Sequence, residues 1–372
     1  MATDTTIEWA DKTWSPIIGC DRVSAGCDGC YAISTARIRS ANPNPKVADA
    51  FAGTVDRIND RLDWTGRINQ LEDRLTQPLH WKKPRKVFVN SMSDLFHKNV
   101  TDDFIAQVLA VIALTPQHTY QLLSKRHARM RTVLTDACTC GNGHAPGVHL
   151  RSRMAWAVSN ANPNRIPGLP DDAEQRVYNA PWPLSNLWLG VSVENQQWAD
   201  IRIPALLNTP AAIRWISAEP LLGPIDLTNV DRMNVLRGDD TGYENGLHWV
   251  DGPTIGWVVA GGESGPKARP AHPDWFHTLR DQCQAADVPY LFKQWGDWTD
   301  RAALTGDQRA TAPVWDEKRV TYVHPADGRT QDHGAWGVNG HTEGWATVQR
   351  VGKKAAGRDL DGRTWDQYPD HQ

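Results

Sequence analysis

The chain has no apolar stretch of membrane-spanning length. Its longest such run, Phe104–Leu114, is interrupted by Gln107 and falls short of the ~20 residues a bilayer requires. The first ten residues carry Asp4 and Glu8 and hold no apolar core, so a secretion signal is not expected, and a cytoplasmic protein that engages no membrane is. An excess of basic charge is missing too. The net charge is −3, so no global field advertises a nucleic-acid partner. Only local patches remain, such as Gly352–Arg358, where a solvated tail competes with a phosphate contact. Paired carboxylates, a Ser–His–Asp set and a phosphate-binding P-loop are not recognisable from spacing, which leaves hydrolase chemistry without support. Phe and Tyr are scarce, at 6 and 7 against 18 Trp. Tryptophan packs cores and rims, and it also stacks on bases; packing is the commoner use.

What is present alternates. Apolar runs at Thr13–Gly19, Val87–Asn90, Tyr120–Leu123, Leu187–Val193, Ile213–Ser217, Ile255–Ala260 and Tyr290–Phe292 read as strands covered on both faces. Helices are predicted over Asp102–Leu114, Ser124–Leu134, Gln197–Leu207 and Asp274–Ala286. This α/β alternation predicts a partial (β/α)6-type parallel barrel over residues 1–298, with insertions at about 136–183 and 228–253. Residues 299–372 read as an irregular C-terminal extension packed on that barrel. Polar groups cluster just after the strands, at Asn90–Asp94, Ser124–Arg126, Glu194-Asn195, Ala218–Pro220, Gly261–Ser264 and Lys293–Trp295. In such barrels the carboxyl ends of the strands carry the chemistry.

The strongest chemical signal is Gly19-Cys20-Asp21-Arg22-Val23-Ser24-Ala25-Gly26-Cys27-Asp28-Gly29-Cys30-Tyr31. Six cysteines in a reducing compartment favour metal or redox chemistry over disulfides. Three thiolates from one loop suit three irons of a cubane, and the missing fourth local ligand leaves one iron open. Glycines there would let backbone amides approach the sulfurs. Two other readings stay open. A structural zinc site would take its fourth ligand from Cys283 or a histidine, and three incidental thiols would need no metal.

A three-cysteine loop after the first strand of a partial barrel resembles the radical S-adenosylmethionine superfamily. The first gap here is six residues, where the common pattern has three. Thr13–Pro16, the cysteine loop, Val87–His97, Leu187–Asn195, Ser217–Asp226, Val258–Gly265, Phe292–Gly296 and Val351–Pro369 together resemble a phage-associated three-cysteine family of unknown function. The superfamily resemblance implies a [4Fe-4S] cluster on Cys20, Cys27 and Cys30, with S-adenosylmethionine chelating the open iron. An electron donor such as flavodoxin or ferredoxin would reduce the cluster, and the radical produced would abstract hydrogen from a substrate. By position, Ser91, Ser93 and Asp94 are candidates for the methionine part. Lys125, with Arg126, would neutralise a carboxylate or phosphate, and Ser192 and Glu194 would hold ribose hydroxyls. Glu219 is a further rim candidate. Glu263 ends a Gly-Gly-Glu tripeptide that the superfamily often uses for the methionine amine, but it follows a late strand, so a substrate-side role or a tight turn fits better. The phage association and the tryptophans point to a nucleotide, nucleobase or nucleic-acid substrate, as in phage DNA modification or repair.

Within the first insertion, Cys138, Cys140, His144 and His149 place four soft-metal ligands in 12 residues. That is a candidate zinc clip on a long loop, although its Cys-x-Cys gap is tighter than usual and an unliganded surface loop is the alternative. From a different class, the chain would be a non-catalytic zinc- or iron-binding protein that binds DNA or a phage partner.

Overall fold

The computed structural model describes residues 5, 7–161, 166, 168–238, 252–332 and 344–370; the centre of the second insertion, 239–251, lies outside them. Seven strands make one sheet whose spatial order follows the chain. They are β1 (Lys12–Trp14), β2 (Lys86–Val89), β3 (Thr119–Ser124), β4 (Leu187–Ser192), β5 (Ile213–Ala218), β6 (Trp257–Gly261) and β7 (Tyr290–Gln294). The architecture is mixed α/β, with a parallel sheet consistent with a partial barrel.

The chain divides into two compact units. The first is Met1–Val23, Cys30–Val191 and Ala205–Arg214; the second is Ser24–Gly29, Ser192–Pro204 and Trp215–Gln372. In the first, β1 pairs parallel with β2, β2 with β3 and β3 with β4. In the second, β6 pairs parallel with both β5 and β7. β4 and β6 are buried at every position, as strands covered on both faces must be.

The helices follow local chemistry. The first, α1 (Tyr31–Ser40), starts at Cys30. Next, α2 (Asp102–Leu114) opens where the Thr101 side chain accepts from the Phe104 N–H at 3.2 Å. Then come α3 (His127–Thr135), α4 (Val148–Ser159) and α5 (Gln196–Leu207). Further along, α6 (Pro273–Ala285) begins with proline, whose missing N–H costs nothing there.

The structure departs from the sequence expectation in four places. The single strand expected over Thr13–Gly19 breaks at Pro16, and Ile17–Ile18 instead pairs antiparallel with Asn69–Gln70. The helix expected from Ser124 starts three residues later, because the Ser124 hydroxyl is occupied with Asp94 and accepts from the Arg126 N–H. The 136–183 insertion is not all loop: it contains α4 and a short helix, Ala173–Tyr178. The stretch after 298 contains a four-stranded antiparallel sheet in the order Trp298–Asp300, Ala346–Arg350, Val320–Val323, Thr330–Gln331. Strands this short carry too few residues to show a period.

The tail also covers an edge. The Phe292 N–H donates to the Trp365 carbonyl at 2.9 Å, and the Gln367 N–H donates to the Tyr290 carbonyl at 3.3 Å. β7, the edge strand of the parallel sheet, is therefore paired where it would otherwise offer bare backbone groups. Trp215, Trp257 and Tyr368 stack in sequence at 5.3 and 5.5 Å between ring centroids, so these tryptophans are packing residues.

His97 and His118 are buried, and that burial is the main cause holding both imidazoles below their ordinary value of 6.5. The unfolded chain takes up protons near 6.5 where the native state does not. Their contribution to stability is therefore complete above that pH and is lost as pH falls toward the depressed native values. The urea midpoint is expected to drop between about pH 7.5 and about pH 5.5, and His118→Gln to make the dependence shallower. A midpoint independent of pH would contradict this.

Candidate functional site

The cysteine loop is shared between the units: Cys20 and Cys30 belong to the first, Cys27 to the second. All three are partly exposed and none is in a disulfide.

In the first unit, Cys20 and Cys30 pack against a small core that includes Ile18, Ile33, Phe51, Trp64 and Met92. The Cys20 sulfur lies 3.8 Å from Arg126 Nη1. Arg126 also bonds Asp94 at 3.2 Å and the Asp21 carboxylate. Asp94 is almost fully engaged by its own chain. It accepts from the Ser124 hydroxyl at 2.9 Å, the Lys125 N–H at 3.0 Å and the Phe96 N–H at 3.0 Å. Burial works against the charge on Arg126, but Asp94, Cys20 and Asp21 outweigh it and hold the guanidinium charged beyond its usual range. His97 Nε2 approaches Asp21 at 3.2 Å, an ion-pair distance without hydrogen-bond geometry.

In the second unit, residues Ser24–Gly29 form a tight turn seated on two carboxylates. A Cβ on Gly26 would stand 2.4 Å from Glu194 Oε1, and one on Gly29 would stand 2.4 Å from Glu263 Oε1. No side chain fits at either position, so the glycines here serve close approach to acids. The Ser24 hydroxyl donates to Glu194 Oε1 at 2.8 Å. Glu194 is paired at 3.0 Å with Arg202, both essentially inaccessible, and the Arg202 guanidinium lies 4.0 Å over the Trp198 ring. Glu263 is gripped by Arg269, whose Nε and Nη2 donate at 2.8 and 2.7 Å. The same Nη2 donates to the Ala25 carbonyl at 2.9 Å, and Asp28 lies 3.9 Å from Arg269.

The other predicted residues are placed as follows. The Ser91 carbonyl accepts from the Tyr31 hydroxyl at 2.9 Å, and the Ser93 hydroxyl donates to the Ile17 carbonyl at 2.8 Å. Ser192 is buried and its carbonyl accepts from Arg202 at 2.7 Å. Glu219 sits apart from the turn's two carboxylates in its hydrogen bonding, paired with Lys293 at 2.7 Å and Gln294 at 3.2 Å. Cys138, Cys140, His144 and His149 converge, with one ligand atom from each all within 4.8 Å of one another. Hydrogen bonds from His149 and Cys140 pull the Cys138 thiol down to about 5. Cys283, the distant fourth ligand considered for a zinc at the N-terminal loop, is fully buried, and that burial pushes its thiol far up.

Sequence reasoning missed Asp21, His97, Arg202 and Arg269. The first two lie inside motifs already singled out, and both arginines follow strand ends, but nothing local tells which carboxylate each will meet.

A family described as a protein of unknown function, DUF5131, matches residues 4–369. The chain belongs to that family. No curated protein and no solved structure matches it. Membership in the DUF5131 family thus covers the cysteine loop, both Glu–Arg pairs and the Cys/His cluster within one match.

Glu194→Ala would strand the buried Arg202 charge and is expected to cost about 3–5 kcal/mol in denaturant unfolding. Gly26→Ala should also destabilise, by pushing Glu194 off Arg202. Glu194→Gln, which keeps a hydrogen-bond acceptor, should cost less than Glu194→Ala; equal losses would deny the charge pair its role.

Proposed function

We propose that this protein is a radical S-adenosylmethionine enzyme with a [4Fe-4S] cluster on Cys20, Cys27 and Cys30. The observation that carries the reading is the loop itself: three partly exposed thiols, none in a disulfide, within eleven consecutive residues, with no fourth Cys or His among them. That donor set fits a cluster with one open iron better than a closed tetrahedral ion. When bound, such a cluster supplies an electron for reductive cleavage of S-adenosylmethionine, and the resulting radical abstracts hydrogen from the substrate.

In this reading the chain's own residues position and insulate. Arg126 places a positive charge beside the Cys20 sulfur, which favours the thiolate and offsets cluster charge. Glu194 and Glu263 are positioning residues that fix the turn bearing Cys27, rather than groups free to bind the cofactor. Ser91, Ser93 and Asp94 are the first unit's candidates for the methionine part, and Lys125 with Arg126 is its candidate for a carboxylate or phosphate; Asp94 already accepts from Ser124, Lys125 and Phe96. Ser192 underlies the Glu194 pair, and Glu219 with Lys293 is a separate polar site on the second unit.

A pocket of about 430 Å3 in the second unit is lined by Ala25, Glu194, Trp198, Arg269, Arg329 and Thr330, among others. Arg329 adds a guanidinium to a lining whose Arg269 and Trp198 are already engaged by Glu263 and Arg202, and this cationic, aromatic lining suits an anionic, ring-bearing substrate such as a nucleotide, nucleobase or nucleic acid. The electron donor is a small redox protein such as flavodoxin or ferredoxin, and the setting is the cytoplasm. Phage DNA modification or repair is the process class this substrate suits.

Anaerobic reconstitution should give ~4 iron per chain and a brown protein, and Cys27→Ala should lose both. Chemical reduction with S-adenosylmethionine should release 5′-deoxyadenosine. A colourless protein carrying zinc on this loop, with no 5′-deoxyadenosine formed, would overturn the reading in favour of a non-catalytic metal protein that binds DNA or a phage partner.

A further inference from the structure

The first insertion contains a second, independent metal-ligand set. After α3 the chain turns at Asp136, which is in the left-handed region, and runs as a loop to Gly147 before α4 begins. Of residues 137–146 only Cys138 is not exposed, so the loop has no apolar core to order it. Its base is closed by one hydrogen bond, from the Leu150 N–H to Asp136 Oδ2 at 2.7 Å.

The ligands nonetheless converge. Cys138 Sγ and Cys140 Sγ are 3.3 Å apart, and His144 Nδ1 lies 3.6 Å from the first and 3.2 Å from the second. The His144 and His149 rings meet edge to face at 4.9 Å between centroids. His149 Nε2 is buried. At ordinary zinc–sulfur and zinc–nitrogen bond lengths, ligand atoms on a tetrahedron stand roughly 3.4–3.8 Å apart. The three separations among Cys138, Cys140 and His144 fall at or just below that range, and all four ligand atoms lie within 4.8 Å of one another, so an ion would need small outward shifts of these three and a small approach of His149.

We infer that Cys138, Cys140, His144 and His149 form a closed, structural Zn2+ site that fastens the 137–147 loop to the start of α4. Two thiolates and two imidazoles in a compact set select zinc over harder cations. Four protein ligands leave no open position, so the site binds without catalysing. The metal takes the place of the missing core, because coordination energy here is folding energy for the loop. His149 lies in the first turn of α4, and one turn on α4 meets α2 through Arg153, 3.9 Å from Asp102 and 3.6 Å from Asp103. The clip therefore ties the loop to a helix already anchored in the first unit.

The test is elemental analysis of the full chain purified without chelators, beside a Cys138→Ser, Cys140→Ser variant. The wild type should hold about one zinc per chain in addition to any iron, and the variant should lose the zinc while keeping its iron and its far-ultraviolet dichroism. Cobalt loaded in place of zinc should show tetrahedral d–d and thiolate charge-transfer absorption in the wild type and neither in the variant. Chelation should speed proteolytic cleavage between 137 and 147. Zinc content unchanged in the variant, or a wild type that takes up neither zinc nor cobalt when supplied, would overturn the proposal. Because iron is read separately, failure of the zinc site and failure of the cluster at Cys20, Cys27 and Cys30 are distinguishable.

Discussion

The turn that carries Cys27 exists in its observed form because two buried glutamates hold it and two arginines neutralise those glutamates. Glu194 with Arg202 and Glu263 with Arg269 are each costly to desolvate, and each pair offsets that cost by charge-assisted hydrogen bonds. Gly26 and Gly29 let the backbone descend onto the carboxylates. Removing any one partner leaves either a bare buried charge or a steric conflict, so the turn, its glycines and the ion pairs stand or fall together.

The same device recurs on the first unit in other residues. Cys20 and Cys27 are each followed by aspartate, and each aspartate meets an arginine from far along the chain: Asp21 with Arg126, Asp28 with Arg269. Arg126 is in turn held by Asp94, itself fixed by Ser124 and two backbone N–H groups. Polar residues after successive strands thus engage one another before they engage a ligand. Strand ends are where such groups collect in parallel α/β sheets.

The first insertion works on a different principle. Its loop buries almost nothing, and four side chains able to ligate a soft metal approach one point there. Separate chemistries are therefore found at separate places: ion pairs around the N-terminal thiols, and converging thiols and imidazoles in the surface loop.

Much of the fold was legible. The Asp102–Leu114 helix was marked by Thr101 before it and proline after it, and six of the seven sheet strands announced themselves as apolar runs with nearly correct ends. Pro16 carried the break in the first strand, but the run of Thr13–Gly19 masked it. The antiparallel sheet after residue 298 was not legible, since strands of two to five residues show no period. The sequence by itself determined which thiols, imidazoles and carboxylates are available and which lie at strand ends, because those depend on composition and local periodicity. Only the tertiary structure decided that Ser24 meets Glu194 across 170 residues and Ala25 meets Arg269 across 244. Pairings at that separation are set by how the strands are ordered and registered, and nothing in the local sequence encodes that.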